Sequence, residues 1–189
     1  MKGLIGTGFV GGNLLEQTKF DYIYNSKNIQ DIKGKEFDLL VIAAPSAVKW
    51  LANKEPEKDL NSIKDLIKNI KSCKAKKVIH LSTVDVYKSP IDVYETSEIK
   101  KEGLCPYGAN RYFLEKSIRF NFNAITIRLP ALFGKGLKKN FIYDILNDNC
   151  LELTNKNSTF QLYCINHLWK DINYALREKM PILNITSDP

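Results

Sequence analysis

The chain has 189 residues, 44% apolar and 26% charged, which suffices for one full hydrophobic core and excludes a disordered composition. Its formal net charge of +7 comes almost wholly from lysines scattered through the sequence, so a nucleic-acid-binding face is not indicated, although a general pull on anionic nucleotides is. The four cysteines lie far apart without metal-type spacing or a secretory leader, and no apolar run nears the roughly 20 residues that span a bilayer, so a soluble protein in a reducing cytoplasm is expected.

Short runs rich in Val, Ile and Leu predict strands over 3–6, 22–24, 39–44, 77–82, 124–129 and 182–185. Between the first two, Val10, Leu14 and Leu15 mark an amphipathic helix. Pro56 opens a second helix, in which Leu60, Ile63, Leu66, Ile67 and Ile70 form one stripe. Pro106 opens a third, with Tyr112, Phe113 and Ile118 available for packing, and a short helix is expected over 141–146. Strands alternating with helices read as α/β, a Rossmann-like doubly wound parallel sheet. The chain is expected to be a single domain over 1–189, with a small substrate-side portion from about 134 onward. Two segments, 89–105 and 134–160, break the rhythm and are expected to cover a site.

The first strand runs into Gly6-Thr7-Gly8-Phe9-Val10-Gly11, a Gly-x-Gly-x-x-Gly turn that leads into the first helix. Small residues there let the chain turn sharply and bring the backbone close to a diphosphate at a helix N-terminus, where free N–H groups favour negative charge. This predicts a site for the pyrophosphate of NAD or NADP. At the end of the second strand, where a carboxylate normally binds a ribose 2′-hydroxyl, the sequence has Asn25, Ser26 and Lys27, which suit a phosphate and lean towards NADP. Asp21 precedes that strand and is poorly placed to substitute.

The fourth strand ends in His80-Leu81-Ser82-Thr83-Val84-Asp85-Val86-Tyr87, and Pro106-Tyr107-Gly108-Ala109-Asn110-Arg111 follows the polar segment. Residues four apart on a helix share a face, so Tyr107 and Arg111 should point into one space, the positive charge favouring the tyrosinate and making Tyr107 a usable acid or base. Thr83, at a strand's carboxyl end, lies where ligands bind in open α/β sheets, with Ser82 as the rival hydroxyl. With the glycine turn, Ala43-Ala44, Arg128 to Gly134 and Leu183-Asn184-Ile185-Thr186, these motifs resemble the extended short-chain dehydrogenase/reductases, the nucleotide-sugar epimerase/dehydratase group, over essentially the whole chain. The resemblance implies that Tyr107 exchanges the proton, Thr83 orients the substrate oxygen and hydride passes to or from the nicotinamide. It further implies that Tyr107, Arg111, Ala43, Ala44, Pro45, Leu81, Leu129 and Pro130 border the cofactor, that Tyr87 is structural, and that a nucleotide-linked sugar is the substrate.

Three departures accompany the resemblance. Arg111 stands where the family has a lysine, and Ala131 where it often has a substrate-contacting asparagine. Extended members also commonly continue past the last strand, adding helices that cover the substrate, whereas this sequence ends at Pro189, so a short or missing C-terminal part is expected. His167 and Trp169 match a helix-opening segment and are expected to be structural. The leading expectation is an NAD(P)-dependent oxidoreductase, epimerase or dehydratase, with a cofactor-binding sensor or scaffold without turnover as the alternative. A homodimer through the helices near 56–70 and 106–119 is implied only by the resemblance.

Overall fold

Alternation of apolar side chains along strands, and their three-to-four spacing along helices, generates two hydrophobic layers on either side of one sheet. The computed structural model describes residues 1–187, the side chain of Leu153 excepted. In chain order the elements are β1 (Lys2–Ile5), α1 (Phe9–Gln17), β2 (Tyr22–Tyr24), β3 (Glu36–Ile42), α2 (Lys49–Lys54), α3 (Pro56–Ile70), β4 (Lys74–Thr83), α4 (Pro106–Asn121), β5 (Ala124–Leu129), β6 (Ala131–Phe133), α5 (Phe141–Leu146), β7 (Leu162–Cys164), α6 (Leu168–Arg177) and β8 (Ile182–Asn184). Six strands form a parallel sheet in the order β2-β1-β3-β4-β5-β8, so the chain reverses its direction of winding between β1 and β3. In open α/β sheets ligands bind at such a reversal, outside the carboxyl ends of the strands.

On one face, Leu14 of α1 and Leu168, Ile172 and Ala175 of α6 pack on Leu4, Val41, Ile79, Ile125 and Ile127. On the other, Ile63 and Ile70 of α3 and Leu114 and Ile118 of α4 pack on Ile5, Leu40, Ile42 and Val78. Each fully buried aliphatic side chain contributes roughly 1.5–3 kcal/mol against exposure. The doubly wound parallel sheet is therefore as expected, and so are the α3 stripe and the bounds of α3 and α5.

The sequence reading differs from the structure at several elements. Leu15 is exposed, because α1 presents Gly11, Asn13 and Leu14 to the interior instead. β3 starts at Glu36 rather than 39 and β4 at Lys74 rather than 77, since parallel pairing continues through Glu36 and Lys74, whose side chains form an exposed ion pair. The α2 helix and the two-stranded parallel sheet of β6 and β7 carried no long periodic signal, whereas α6 places Leu168, Ile172 and Ala175 at helical spacing beyond the opening segment that the reading recognised. Among the described residues no helix is long and apolar enough to cross a membrane.

Beneath α4 the interior is polar. Arg128 of β5 donates from Nε and Nη2 to the two oxygens of Glu115, at 3.1 and 2.8 Å, and from Nη1 to the Tyr87 hydroxyl at 2.6 Å. Ser82 donates to the same carboxylate at 2.6 Å. Glu115 and Arg128 are both buried, so neither charge is matched by water. Removing one partner strands the other in a low-dielectric interior, which typically costs about 3–5 kcal/mol, whereas replacing both by apolar residues is often close to neutral. We expect Arg128→Met to lower the urea-unfolding free energy by about that amount, and Glu115→Leu with Arg128→Met to recover most of it.

His80 lies on the same face of β4 as Ser82, fully buried, and its Nδ1 has no partner among the described residues. Burial, aided by the positive charges of Arg111 and Arg128, pushes the imidazole from 6.5 down to about 3. The unfolded chain then binds a proton between these values that the folded chain refuses, so stability present above pH 6.5 is lost as pH falls towards 3. The loss amounts to about 1.4 kcal/mol per pH unit in that window. Melting temperatures measured between pH 7 and pH 5 should fall more steeply for the wild type than for His80→Leu.

Candidate active site

The glycine turn sits at the carboxyl end of β1, facing the reversal. Gly6 has φ +99, and a Cβ there would lie 2.3 Å from the Ala43 carbonyl oxygen. A Cβ on Gly11 would lie 1.9 Å from the Gly6 oxygen. The turn, the first turn of α1 and the end of β3 thus interlock so closely that no side chain fits at either position. Gly8, which caps α1, has open space around its Cα, while Thr7 and Gly8 are exposed and Phe9 and Val10 half-buried. The Gly6 N–H donates to Tyr24 O at 2.8 Å, tying the turn to the end of β2.

Beyond β2, Asn25, Ser26 and Lys27 form a tight turn. The Asn25 side-chain oxygen accepts from Lys27 N at 2.9 Å, and Asn28 accepts from Asn25 N at 2.7 Å while donating to Ile23 O at 3.1 Å. Ser26 and Lys27 are exposed. Asn28, not singled out from the sequence, is the residue that shapes this turn. Asp21 accepts from Lys2 N at 2.6 Å at the amino end of the strands, far from the turn.

The loop after β3 carries Ala43, Ala44 and Pro45 opposite the glycine turn, with a cis Ala44–Pro45 peptide. Ala43 packs in the same apolar layer as Leu81 and Leu129, both buried, and Pro130 is half-buried at the end of β5. A stretch after β6 joins the two sides of the crevice. Asn13 of α1 donates to Lys135 O at 3.1 Å, Lys135 pairs with Glu16 at 2.9 Å, and Lys139 donates to Ala47 O at 2.7 Å.

Thr83 ends β4 and caps the following turn, accepting from Asp85 N at 3.1 Å and donating to the Asp85 carboxylate at 3.2 Å. Ser82, the rival hydroxyl, points the other way, to Glu115 beneath α4. α4 approaches this turn so closely that a Cβ on Gly108 would lie 2.1 Å from Asp85 O. Tyr107 N donates to Asn53 Oδ1 of α2 at 2.9 Å, and the Tyr107 side chain is nearly enclosed, with 5% of the residue exposed. Structure therefore brings Thr83, Asp85 and Tyr107 to one end of the sheet.

Arg111 lies over the Tyr107 ring, 4.4 Å from its centroid. Its Nη1 and Nη2 donate to the two Asp59 oxygens at 2.9 and 3.0 Å, and Nη2 also to Ser46 O at 2.7 Å. The expected lowering of the Tyr107 pKa is overturned. Burial raises it above 10.0, and the negative charge of Asp85 adds to the rise against the opposing pull of Arg111 and, more weakly, Lys49. Asp59 matches the charge that the spacing alone had left free for the phenol. Lys49, at the start of α2, pairs with Asp85 and was missed because its six-residue helix has no periodic signature.

Tyr87 has the expected structural part. Its hydroxyl accepts from Arg128, donates to Tyr94 O at 2.9 Å and meets Asn184 of β8, while Glu95 accepts from Asn184 N at 2.7 Å. These bonds dock segment 89–105 against the sheet. His167 caps α6 and is exposed, and Trp169 packs edge-on against Phe20, with its N–H held by Gln17 at 2.9 Å.

No protein-family model and no curated protein sequence matches the chain. Solved structures do. A UDP-N-acetylglucosamine 4-epimerase from Methanobrevibacter ruminantium, in complex with UDP-N-acetylmuramic acid, superposes with TM-score 0.76 at 16% identity, over 98% of this chain and 76% of that one. A dTDP-4-dehydrorhamnose reductase from Clostridium acetobutylicum gives 0.73 at 14%, over 100% and 75%. A UDP-glucuronic acid 4-epimerase from Bacillus cereus, in complex with NAD, gives 0.73 at 18%, over 100% and 78%. The likeness is one of fold: the chain has the fold of the extended short-chain dehydrogenase/reductases that its motifs resemble.

Proposed function

We propose that the chain binds NAD(P) and catalyses oxidoreduction, epimerisation or dehydration of a nucleotide-linked sugar. The observation that carries this reading is the interlocked glycine turn at the sheet reversal, with Thr83 and Tyr107 at the same end of neighbouring elements. Similarity of fold to nucleotide-sugar epimerases and reductases whose structures contain NAD or NADP supports it.

The residues fit a dinucleotide. Gly6, Thr7, Gly8, Phe9, Val10 and Gly11 would hold the pyrophosphate, because the cradle is all backbone and Gly8 leaves open room for a phosphate. Asn25, Ser26 and Lys27 would face the adenosine ribose, and the exposed Lys27 favours NADP. Ala43, Ala44, Pro45, Leu81, Leu129 and Pro130 would line its path across the strand ends. When bound, the nicotinamide supplies the hydride acceptor or donor. Thr83 would orient the substrate oxygen, giving up its bond to Asp85 to do so. Tyr107, whose raised pKa keeps it protonated at neutral pH, would donate the proton to that oxygen in the reducing direction. Arg111, fixed by Asp59 and stacked on the ring, would hold Tyr107 in place and border the ribose.

Thermal shift and titration test the cofactor. NADPH should raise the melting temperature, since a ligand bound only to the folded state stabilises it. Lys27→Glu should weaken NADPH by about tenfold, the equivalent of about 1.4 kcal/mol, and leave NADH nearly unchanged. Absence of any shift with either cofactor overturns the reading. Tyr107→Phe should lower turnover of a keto-sugar nucleotide by about 10²–10⁴-fold with cofactor affinity intact; binding of NADPH without its oxidation by any keto-sugar nucleotide would point to a sensor or scaffold instead.

A further inference from the structure

α2 presents two residues of one helical face, four apart: Asn53 holds Tyr107 N at the start of α4, and Lys49 pairs with Asp85 in the turn after β4. Asp85 in turn holds the Thr83 hydroxyl, and its carbonyl is pressed against Gly108, one residue beyond Tyr107. Lys49, Asp85, Thr83 and Tyr107 are therefore joined through one cluster of contacts built from three separate parts of the chain.

The two cations near Tyr107 are held very differently. Arg111 has both terminal nitrogens bonded to Asp59, and the two side chains are 5% and 13% exposed. It is a rigid, charge-matched platform under the ring. The Lys49 and Asp85 side chains are 51% and 32% exposed and joined by a single ion pair, so their contact can adjust at little cost.

We propose that Lys49 is a positioning residue for Tyr107, whose ammonium, by staying paired with Asp85, screens that carboxylate from the phenol as the proton leaves, while Arg111 fixes the ring and supplies the larger positive charge. This rests on Tyr107 being the proton-exchanging group of the proposed function. When the Tyr107 O–H bond breaks and the proton goes to a substrate oxygen, a negative charge is left on a nearly enclosed phenolate. Asp85 opposes that charge while its carboxylate is bare, and Lys49 offsets it. The charged groups bearing on Tyr107 are Arg111 from its own helix, Asp85 from the turn after β4 and Lys49 from α2; those bearing on Lys49 are Asp85, Cys105 and Tyr107. The negative charge of Asp85 favours the protonated phenol, and the positive charges of Arg111 and, more weakly, Lys49 favour the phenolate.

The test reads the phenol directly. The protein is prepared with 3,5-difluorotyrosine, whose phenol titrates nearer neutrality, and the Tyr107 ¹⁹F resonance is assigned by its loss in Tyr107→Phe. In Lys49→Met the midpoint should move upward by on the order of one pH unit, in Asp85→Asn downward, and in Lys49→Arg remain near the wild type. With a keto-sugar nucleotide and NADPH, the alkaline limb of kcat should move in step while KM changes little. An unmoved midpoint in Lys49→Met, or one moved equally by Lys49→Arg, overturns the proposal. Because the resonance titrates whether or not turnover occurs, a shift without activity supports the charge relation and removes the proposed function, and activity without a shift does the reverse.

Discussion

The buried ion pair between Glu115 and Arg128 is the constraint on which the candidate site depends. It ties α4 to β5 from below, and through Ser82 and Tyr87 the same carboxylate and guanidinium reach β4 and the segment that follows it. A helix sitting on purely apolar residues could slide or rotate by a few degrees with little change in energy. A bidentate guanidinium–carboxylate contact has one geometry, and here it has no water to replace it. The orientation of Tyr107, two turns earlier on the same helix, follows from that register.

A second, partly buried pair repeats the device between α3 and α4. Asp59 of α3 grips Arg111, and Asn110 beside it donates to Asp59 at 2.9 Å and to Pro56 O at 3.1 Å. α3 and α4 are thus joined by charge as well as by Leu114 and Ile63. The layer has an electrostatic cost: His80, fully buried, is held neutral by that burial and by the positive charges of Arg111 and Arg128. The interior beneath α4 can be described as two positive charges, two negative charges and a base kept from becoming a third positive charge.

Much of the fold was legible in the sequence because parallel strands buried on both faces read as unbroken runs, as 39–42 does, and because α3 repeats its apolar residues at helical spacing from Leu60 to Ile70. The glycine turn was legible for a steric reason: a Cβ at Gly6 or Gly11 would collide with backbone. What could not be read was pairing. The spacing of Tyr107 and Arg111 placed them on one helical face correctly, yet nothing in it revealed that Asp59, fifty-two residues away, claims the guanidinium. Lys49 was hidden in the same way, since its significance comes from Asp85 and not from its neighbours in sequence. The three-residue strands β6 and β7 are too short for any period to show, and they exist because each supplies the other's backbone partners.

The interlocking of Gly6 with Ala43 and of Gly11 with Gly6 divides the chain into a part that tolerates no substitution and a part that does. Any side chain at either glycine must push apart β1, α1 and β3 together, so the cradle can neither drift nor be tuned by small steps. Ser26 and Lys27, in the turn after β2, are by contrast exposed. Under the proposed function, preference between related cofactors is thereby uncoupled from the ability to bind one at all. Descendants or engineered variants of this chain could exchange that preference through two surface positions while the sheet, its helices and the turn stay as they are.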